Sequence, residues 1–156
     1  MSQPMYPSSL DWAHYGIGFG GAIQRGFKKY AKFDGRASRS EYWWWTLFTT
    51  VTGIVLAVPA VVIGIQTSPD GGETPGLPAV PLLVLLMLFY LAVVVPTIAV
   101  TVRQLHDAGY SGWLFLLTLI PWLGALILPP SPAGAKYDPA PAYPYSPYVP
   151  GPYPPA

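Results

Sequence analysis

Three long stretches of this sequence contain no charged residue, and they constrain the fold more than any other feature. The stretches run from Tyr42 to Pro69, from Leu77 to Val102 and from Gly109 to Ala135. A helix needs about 20 apolar residues to cross the hydrocarbon of a bilayer, and the first two stretches supply them. A chain of 156 residues with three such stretches has too little polar sequence to cover them in water. The sequence therefore predicts an all-α membrane protein.

The composition argues against an ordinary soluble enzyme and excludes several kinds of metal site. Charged residues make up 10% of the chain, whereas soluble domains average about 25%. The absence of cysteine rules out disulfides, iron–sulfur clusters and cysteine-based zinc sites, and two histidines offer little for any other metal. We therefore expect no cofactor and no metal.

The predicted organisation has three parts: a flexible N-terminus over 1–15, a membrane domain over 16–135 and a disordered Pro/Tyr-rich C-terminal tail over 136–156. Within the membrane domain we expect an interfacial amphipathic helix and then three transmembrane helices, at about 20–33, 42–65, 79–103 and 112–129. The third span is the shortest, and a re-entrant hairpin broken near Pro121 is the alternative. Low-complexity composition begins at Pro129, and eleven of the last 28 residues are proline. This segment lacks the aliphatic residues that would offset the entropy of ordering it.

The distribution of lysine and arginine predicts how the chain is threaded. Six of the eight cations lie between Arg25 and Arg39, before the first span, whereas the loop over 66–76 carries only Asp70 and Glu73. Cytoplasmic segments of membrane proteins are enriched in lysine and arginine. We expect a multi-pass protein of the inner (plasma) membrane with a cytoplasmic N-terminus and an external acidic loop.

The segment before the first span has the pattern of a helix that lies in the membrane interface. Cations occupy one helical face and mainly aromatic residues the other. Trp43, Trp44 and Trp45 follow, at the position where tryptophan prefers the headgroup level. We expect contact with anionic lipid headgroups from these tryptophans and from four cations: Arg25, Lys28, Lys29 and Lys32. Nucleic acid would suit such a patch as well, but the patch is short and adjoins the bilayer, so we expect no nucleic-acid partner.

A helix-start signal precedes the first span. Ser38 and Glu41 have the spacing of a capping box, in which the serine caps the helix and the glutamate reaches back to the serine amide. Gly35 permits a turn before this cap. The capping pattern leaves Arg36 and Arg39 without a structural explanation.

A second polar cluster follows the second span. If that helix continues, Arg103, His106 and Asp107 share one face, and Gly109 ends the helix. By the predicted threading, all polar residues of both motifs lie on the cytoplasmic side. We expect one network there: Arg36, Arg39, Glu41, Arg103, His106 and Asp107. We predict an ion pair between Glu41 and Arg103, with Asp107 as the rival partner of Arg103, because each charge is costly to leave alone near hydrocarbon.

The two motifs together resemble the domain of unknown function 805 family, small bacterial inner-membrane proteins. The resemblance rests on Gly35–Trp43 (GRASRSEYW), Arg103–Asp107 (RQLHD) and Ser111–Trp113 (SGW), and it covers roughly residues 22–135. Members often carry a second arginine where this chain has Gln104. Their Gly-x-Asn element after the third apolar run is degraded here, at Gly134. The resemblance implies location and topology, and it implies no established chemistry.

These features favour a non-enzymatic binding, scaffolding or sensing role over catalysis. The chain has no second base beside His106, no cysteine and no glycine-rich phosphate loop. The alternatives are a transporter or channel subunit, or a membrane enzyme that acts on lipid headgroups through His106, Asp107 and Glu41. A homo-oligomer is possible, and the P-x-x-P spacings of the tail suit a protein partner.

Overall fold

The computed structural model describes residues 13–72, 74–114 and 129–138. In these residues the chain is helical and forms no strand. Its α-helices are α1 (Phe19–Lys28), α2 (Arg39–Gln66) and α3 (Val80–Asp107). Short 3₁₀ helices at Leu77–Ala79 and Pro132–Tyr137 precede and follow α3.

The two long helices, α2 and α3, correspond to the first two predicted spans. Each has 28 residues, so each is about 42 Å long at about 1.5 Å per residue, enough to cross a bilayer. They are the two helices of the described chain that are long and apolar enough to do so. They run antiparallel, because Gly76 N–H donates to Gly64 O at one end (3.0 Å) and Ala37 N–H donates to Arg103 O at the other (3.1 Å).

Trp45 forms the centre of the contact between α2 and α3. Its ring is 1% exposed and packs in a cluster with Tyr42, Val93 and Val100. The indole Nε1–H donates to Thr97 Oγ1 over 3.0 Å. The predicted lipid contact is therefore wrong for Trp45, because its ring fills the helix interface. Trp43 and Trp44, in contrast, are exposed.

Helix α1 packs across α2 and is shorter than predicted. It ends at Lys28, whereas the expected helix reached residue 33. Gly26 allows the close approach, since a Cβ there would lie 2.3 Å from the Trp45 ring. The packed face of α1 includes Arg25, and Lys29 is buried just after the helix. The prediction that Arg25 and Lys29 face lipid is therefore wrong.

The C-terminus of α3 ends in the glycine motif that the sequence predicts. Gly109 has a φ of +84°, in the left-handed region. Its N–H donates to His106 O, and the N–H of Tyr110 donates to Leu105 O, each at 2.9 Å. This pair of bonds is the Schellman arrangement, which satisfies the last carbonyls of a helix.

The predicted third span falls mostly outside the described residues, but both of its flanks are described. Before it, Gly112 lies against Val102 and His106 in the last turns of α3. After it, Ser131 N–H donates to Asp107 O over 2.9 Å. Both flanks therefore lie at the same end of the α2–α3 pair.

The first residues of the predicted disordered tail are ordered. The 3₁₀ helix Pro132–Tyr137 packs on the end of α3, and Gly134 is buried there. Tyr137 stacks on His106 and Asp138 accepts from Arg36. These contacts hold the segment, and its proline content alone does not predict them. Residues 139–156 of the tail and 1–12 of the predicted flexible N-terminus lie outside the described residues.

Candidate functional site

Glu41 lies between two arginines from different helices. Its Oε2 is 3.1 Å from Arg25 Nε, and its Oε1 is 3.6 Å from Arg103 Nη2. The glutamate and Arg103 are completely buried, and Arg25 is nearly so. The predicted proximity of Glu41 and Arg103 is confirmed. The pairing with Arg25 was missed, because the amphipathic pattern placed that arginine on a lipid-facing surface and no local spacing links it to Glu41.

The start of α2 positions this carboxylate. Glu41 N–H donates to Ser38 Oγ at 3.2 Å, which confirms the predicted serine cap. The glutamate half of the capping box is wrong, because the carboxylate turns toward the arginines instead of the Ser38 amide. The Ser38 hydroxyl donates in turn to His14 O at 2.6 Å. The cap therefore joins the N-terminal segment to α2 and points Glu41 inward.

Lys29 is a third cation beside this pair. Only 4% of its surface is exposed. Burial and the nearby Arg25 together lower the pKa of Lys29 to about 8, while Glu41 opposes the shift. The group formed by Arg25, Lys29, Arg103 and Glu41, which we call the inner cluster, thus holds three cationic side chains against one carboxylate.

Asp107 belongs to a second group of contacts, the outer cluster, with Tyr15, Arg36 and Asp138. The Tyr15 hydroxyl donates to Asp107 Oδ1 at 2.6 Å, and Arg36 Nη1 lies 3.7 Å from the same oxygen. Arg36 also donates from Nε and Nη2 to the two carboxylate oxygens of Asp138, at 2.8 and 2.9 Å. Asp107, the rival partner for Arg103, thus forms its ion pair with Arg36. Tyr15 and Asp138 were missed because both lie in segments predicted to be disordered or flexible.

His106 and Gln104 tie the turn before α2 to the end of α3. The His106 ring stacks on Tyr137 at 3.8 Å with an interplanar angle of 6°. Its Nδ1 lies 3.2 Å from Gly35 O. The Gln104 amide, oriented to donate, reaches the carbonyls of Ala37 and Ser38 at 3.1 and 3.3 Å. The single predicted network is thus divided into two clusters, both attached to the last turns of α3, and Arg39 lies half-buried at the start of α2.

Exposed basic and aromatic side chains surround these clusters. Lys28 and Lys32, the other two predicted lipid-contacting cations, are exposed. The Tyr30 hydroxyl donates to Ala92 O on α3 at 2.7 Å, so the end of α1 lies along the side of the helix pair. We define the basic-aromatic rim as the two lysines and the exposed aromatic residues near them: Phe27, Tyr30, Phe33, Trp43 and Trp44.

Comparisons with known proteins identify the family of the chain. The family described as "Protein of unknown function (DUF805)" matches residues 30–139. The chain belongs to the DUF805 family. It is 35% identical over 101 residues to the inner membrane protein YhaI of Escherichia coli K12, covering 65% of this chain and 73% of YhaI. It is 37% identical over 101 residues to YhaH of the same strain, covering 65% of this chain and 74% of YhaH. No solved structure matches.

The DUF805 match confirms the resemblance drawn from the motifs and supports an inner-membrane location. The matched residues contain Glu41 and Arg103 of the inner cluster. Arg25 and Lys29 precede the matched residues, so the α1 contribution to this cluster lies outside the family match. No three histidine or acidic side chains come together in the described part of the chain.

Proposed function

We propose that this DUF805 protein is a non-enzymatic, multi-pass inner-membrane protein that binds anionic lipid headgroups at the cytoplasmic face, where it serves a scaffolding or sensing role. The observation that carries the proposal is the basic-aromatic rim, whose lysines, tryptophans and phenylalanines, in α1, in the segment after it and at the start of α2, are exposed. Aromatic rings favour the headgroup level, and a cation beside an anionic leaflet gains about 1 kcal/mol.

The proposed topology has two crossings, α2 and α3, with the rim on the cytoplasmic side. Six cations of the segment before and at the start of α2 support this orientation. The hydrogen bond from Ser131 to Asp107 supports a C-terminal segment on the same side as α1. It favours the re-entrant alternative over a third crossing.

The contacts of the acidic and basic groups support binding over catalysis. Glu41 forms two ion pairs, Asp107 accepts a hydrogen bond from Tyr15, and the His106 ring stacks on Tyr137. A catalytic base needs access to a substrate proton, which buried structural pairs do not provide. Thr49, Thr97 and Thr101 bond to the backbone of their own helices, and this argues against a polar solute pathway within one copy.

Reconstitution into nanodiscs tests the proposal. Nanodiscs that contain phosphatidylcholine alone are compared with nanodiscs in which part of it is replaced by phosphatidylglycerol, and thermal unfolding is followed in each. We expect a higher Tm in the anionic discs, and we expect the double variant Lys28→Gln/Lys32→Gln to lose most of that difference. Lys136→Gln, an exposed lysine outside the rim, is the matched control. Equal Tm values in the two discs would contradict lipid-headgroup binding.

A further inference from the structure

Lys29 is a buried cation that forms no ion pair within the described part of the chain. It is 4% exposed, and the nearby carboxylate, Glu41, already lies between Arg25 and Arg103. Buried charges are normally paired, because an unpaired one loses its hydration without replacement. A further negative group would pair with Lys29.

Arg103 provides the second observation. It is completely buried, and its Nε donates to Ala99 O at 3.2 Å. Neither Nη1 nor Nη2 has a hydrogen-bond partner within the described chain, although Nη2 lies 3.6 Å from Glu41 Oε1. Buried side-chain donors are generally satisfied in proteins, so two unsatisfied nitrogens on one guanidinium call for an acceptor.

We propose that Lys29 and Arg103, which lie beside Arg25, bind one oxyanion of the phosphate class. The planar guanidinium presents paired N–H donors that match phosphate oxygens, and the lysine adds a point charge. Arg25 and Lys29 each keep 4% of their surface exposed, whereas Arg103 has none. The anion therefore approaches from the α1 side, and Arg103 forms the inner wall.

The phosphate has two possible sources: a phospholipid headgroup or inorganic phosphate. The proposal rests on the proposed lipid-binding function only for the first source. It differs from that function in its residues, because the rim uses Lys28 and Lys32, which are exposed, and the oxyanion site uses Lys29, which is buried. An experiment can therefore contradict the oxyanion site without contradicting lipid binding at the rim, or the reverse.

Lys29→Met is the test variant, and Lys136→Met is its control, because Lys136 is exposed and belongs to neither the rim nor the inner cluster. The intact protein is purified in a neutral maltoside detergent and chloride buffer, and Tm is measured while sodium phosphate is added at constant ionic strength. A second arm adds a short-chain phosphatidylglycerol, and its control is a phosphate-free glycolipid. We expect phosphate-containing ligand to raise the Tm of wild type. The Lys29→Met variant should bind about tenfold more weakly, and Lys136→Met should match wild type.

The outcomes separate the sources and decide the proposal. A response to inorganic phosphate alone assigns free phosphate, and a response to the phospholipid alone assigns the headgroup. Without ligand, Lys29→Met should have a higher Tm than wild type, because it removes an uncompensated cation. If that variant does not fold, Arg103→Lys keeps the charge, loses the paired donors and should lose the ligand-induced Tm shift. No Tm shift in wild type, or equal shifts in wild type and Lys29→Met, would overturn the oxyanion site while leaving the rim untouched.

Discussion

The two ends of the α2–α3 pair hold their acidic residues in opposite ways. At the rim end, Glu41 is buried between arginines from α1 and α3. At the other end, Asp70 is exposed and accepts bonds from Ser68 and Thr74, which lower its pKa. The partners of Asp70 lie within four residues of it, whereas those of Glu41 belong to other helices. One end is therefore a local turn, and the other depends on three segments folding together.

The largest expected difference between the two ends is their accessibility across the membrane. Single cysteines at Pro69 and Ala135, both exposed, are introduced into this cysteine-free chain. With a thiol reagent that does not cross the inner membrane, we expect labelling at position 69 in intact cells and at position 135 only after permeabilisation. Labelling at 135 in intact cells would show that the C-terminal segment is on the outside and would support a third crossing.

Loss of the Glu41 charge should have the largest effect on stability. Glu41→Gln keeps the shape but leaves Arg25, Lys29 and Arg103 without their carboxylate. Breaking a buried ion pair from one side typically costs about 3–5 kcal/mol, and we expect a loss of this order in the free energy of unfolding in detergent. Asp70→Asn at the opposite end is the control, and it should leave the unfolding midpoint unchanged. Comparable losses of stability in Glu41→Gln and Asp70→Asn would contradict the proposed difference between the two ends.

The close packing of α1 should be sensitive to one methyl group. Gly26→Ala places a Cβ against the Trp45 ring, at 2.3 Å before any movement. Overpacking of this kind costs about 1–3 kcal/mol, and the Trp45 fluorescence should change with it. Gly20→Ala, on the same helix with nothing within 4 Å of its Cβ, should be neutral or slightly stabilising because alanine favours helix. An equally neutral Gly26→Ala would mean that α1 does not pack on Trp45.

The smallest expected effect is the pH dependence contributed by Lys29. Its pKa is about 8 in the folded protein and 10.5 ordinarily. Between these values the unfolded chain binds a proton that the folded chain does not, so stability rises with pH through this window. In phosphate-free buffer, the Tm advantage of Lys29→Met over wild type should therefore shrink from pH 8 to pH 10. A constant advantage over that range would mean that Lys29 does not titrate there.

Local patterns predicted most of the helical elements and their ends. The uncharged runs predicted α2 and α3, Ser38 predicted the cap of α2, and Gly109 predicted the end of α3. Each of these signals is local, because helix propensity, capping and the length needed to cross hydrocarbon depend on neighbouring residues. The pairing of Glu41 with Arg103 could also be predicted from the sequence, since both charges border apolar runs at the same depth.

Only the tertiary structure decided whether a given amphipathic side chain contacts protein or lipid. Apolar protein interior and lipid are equally suitable for Trp45, and the sequence pattern cannot distinguish them. Arg25 and Lys29 look like lipid-facing cations until Glu41 is placed beside them. Tyr137 is held by stacking on His106, and Asp138 is held by its ion pair with Arg36. The sequence by itself determined a helical inner-membrane protein and located the first two of its three predicted spans, because an apolar run long enough to cross a bilayer is a local property. The inner and outer clusters could be recognised only in the folded structure. Their ion pairs join residues that are far apart in the sequence, and separation along the chain does not predict distance in space.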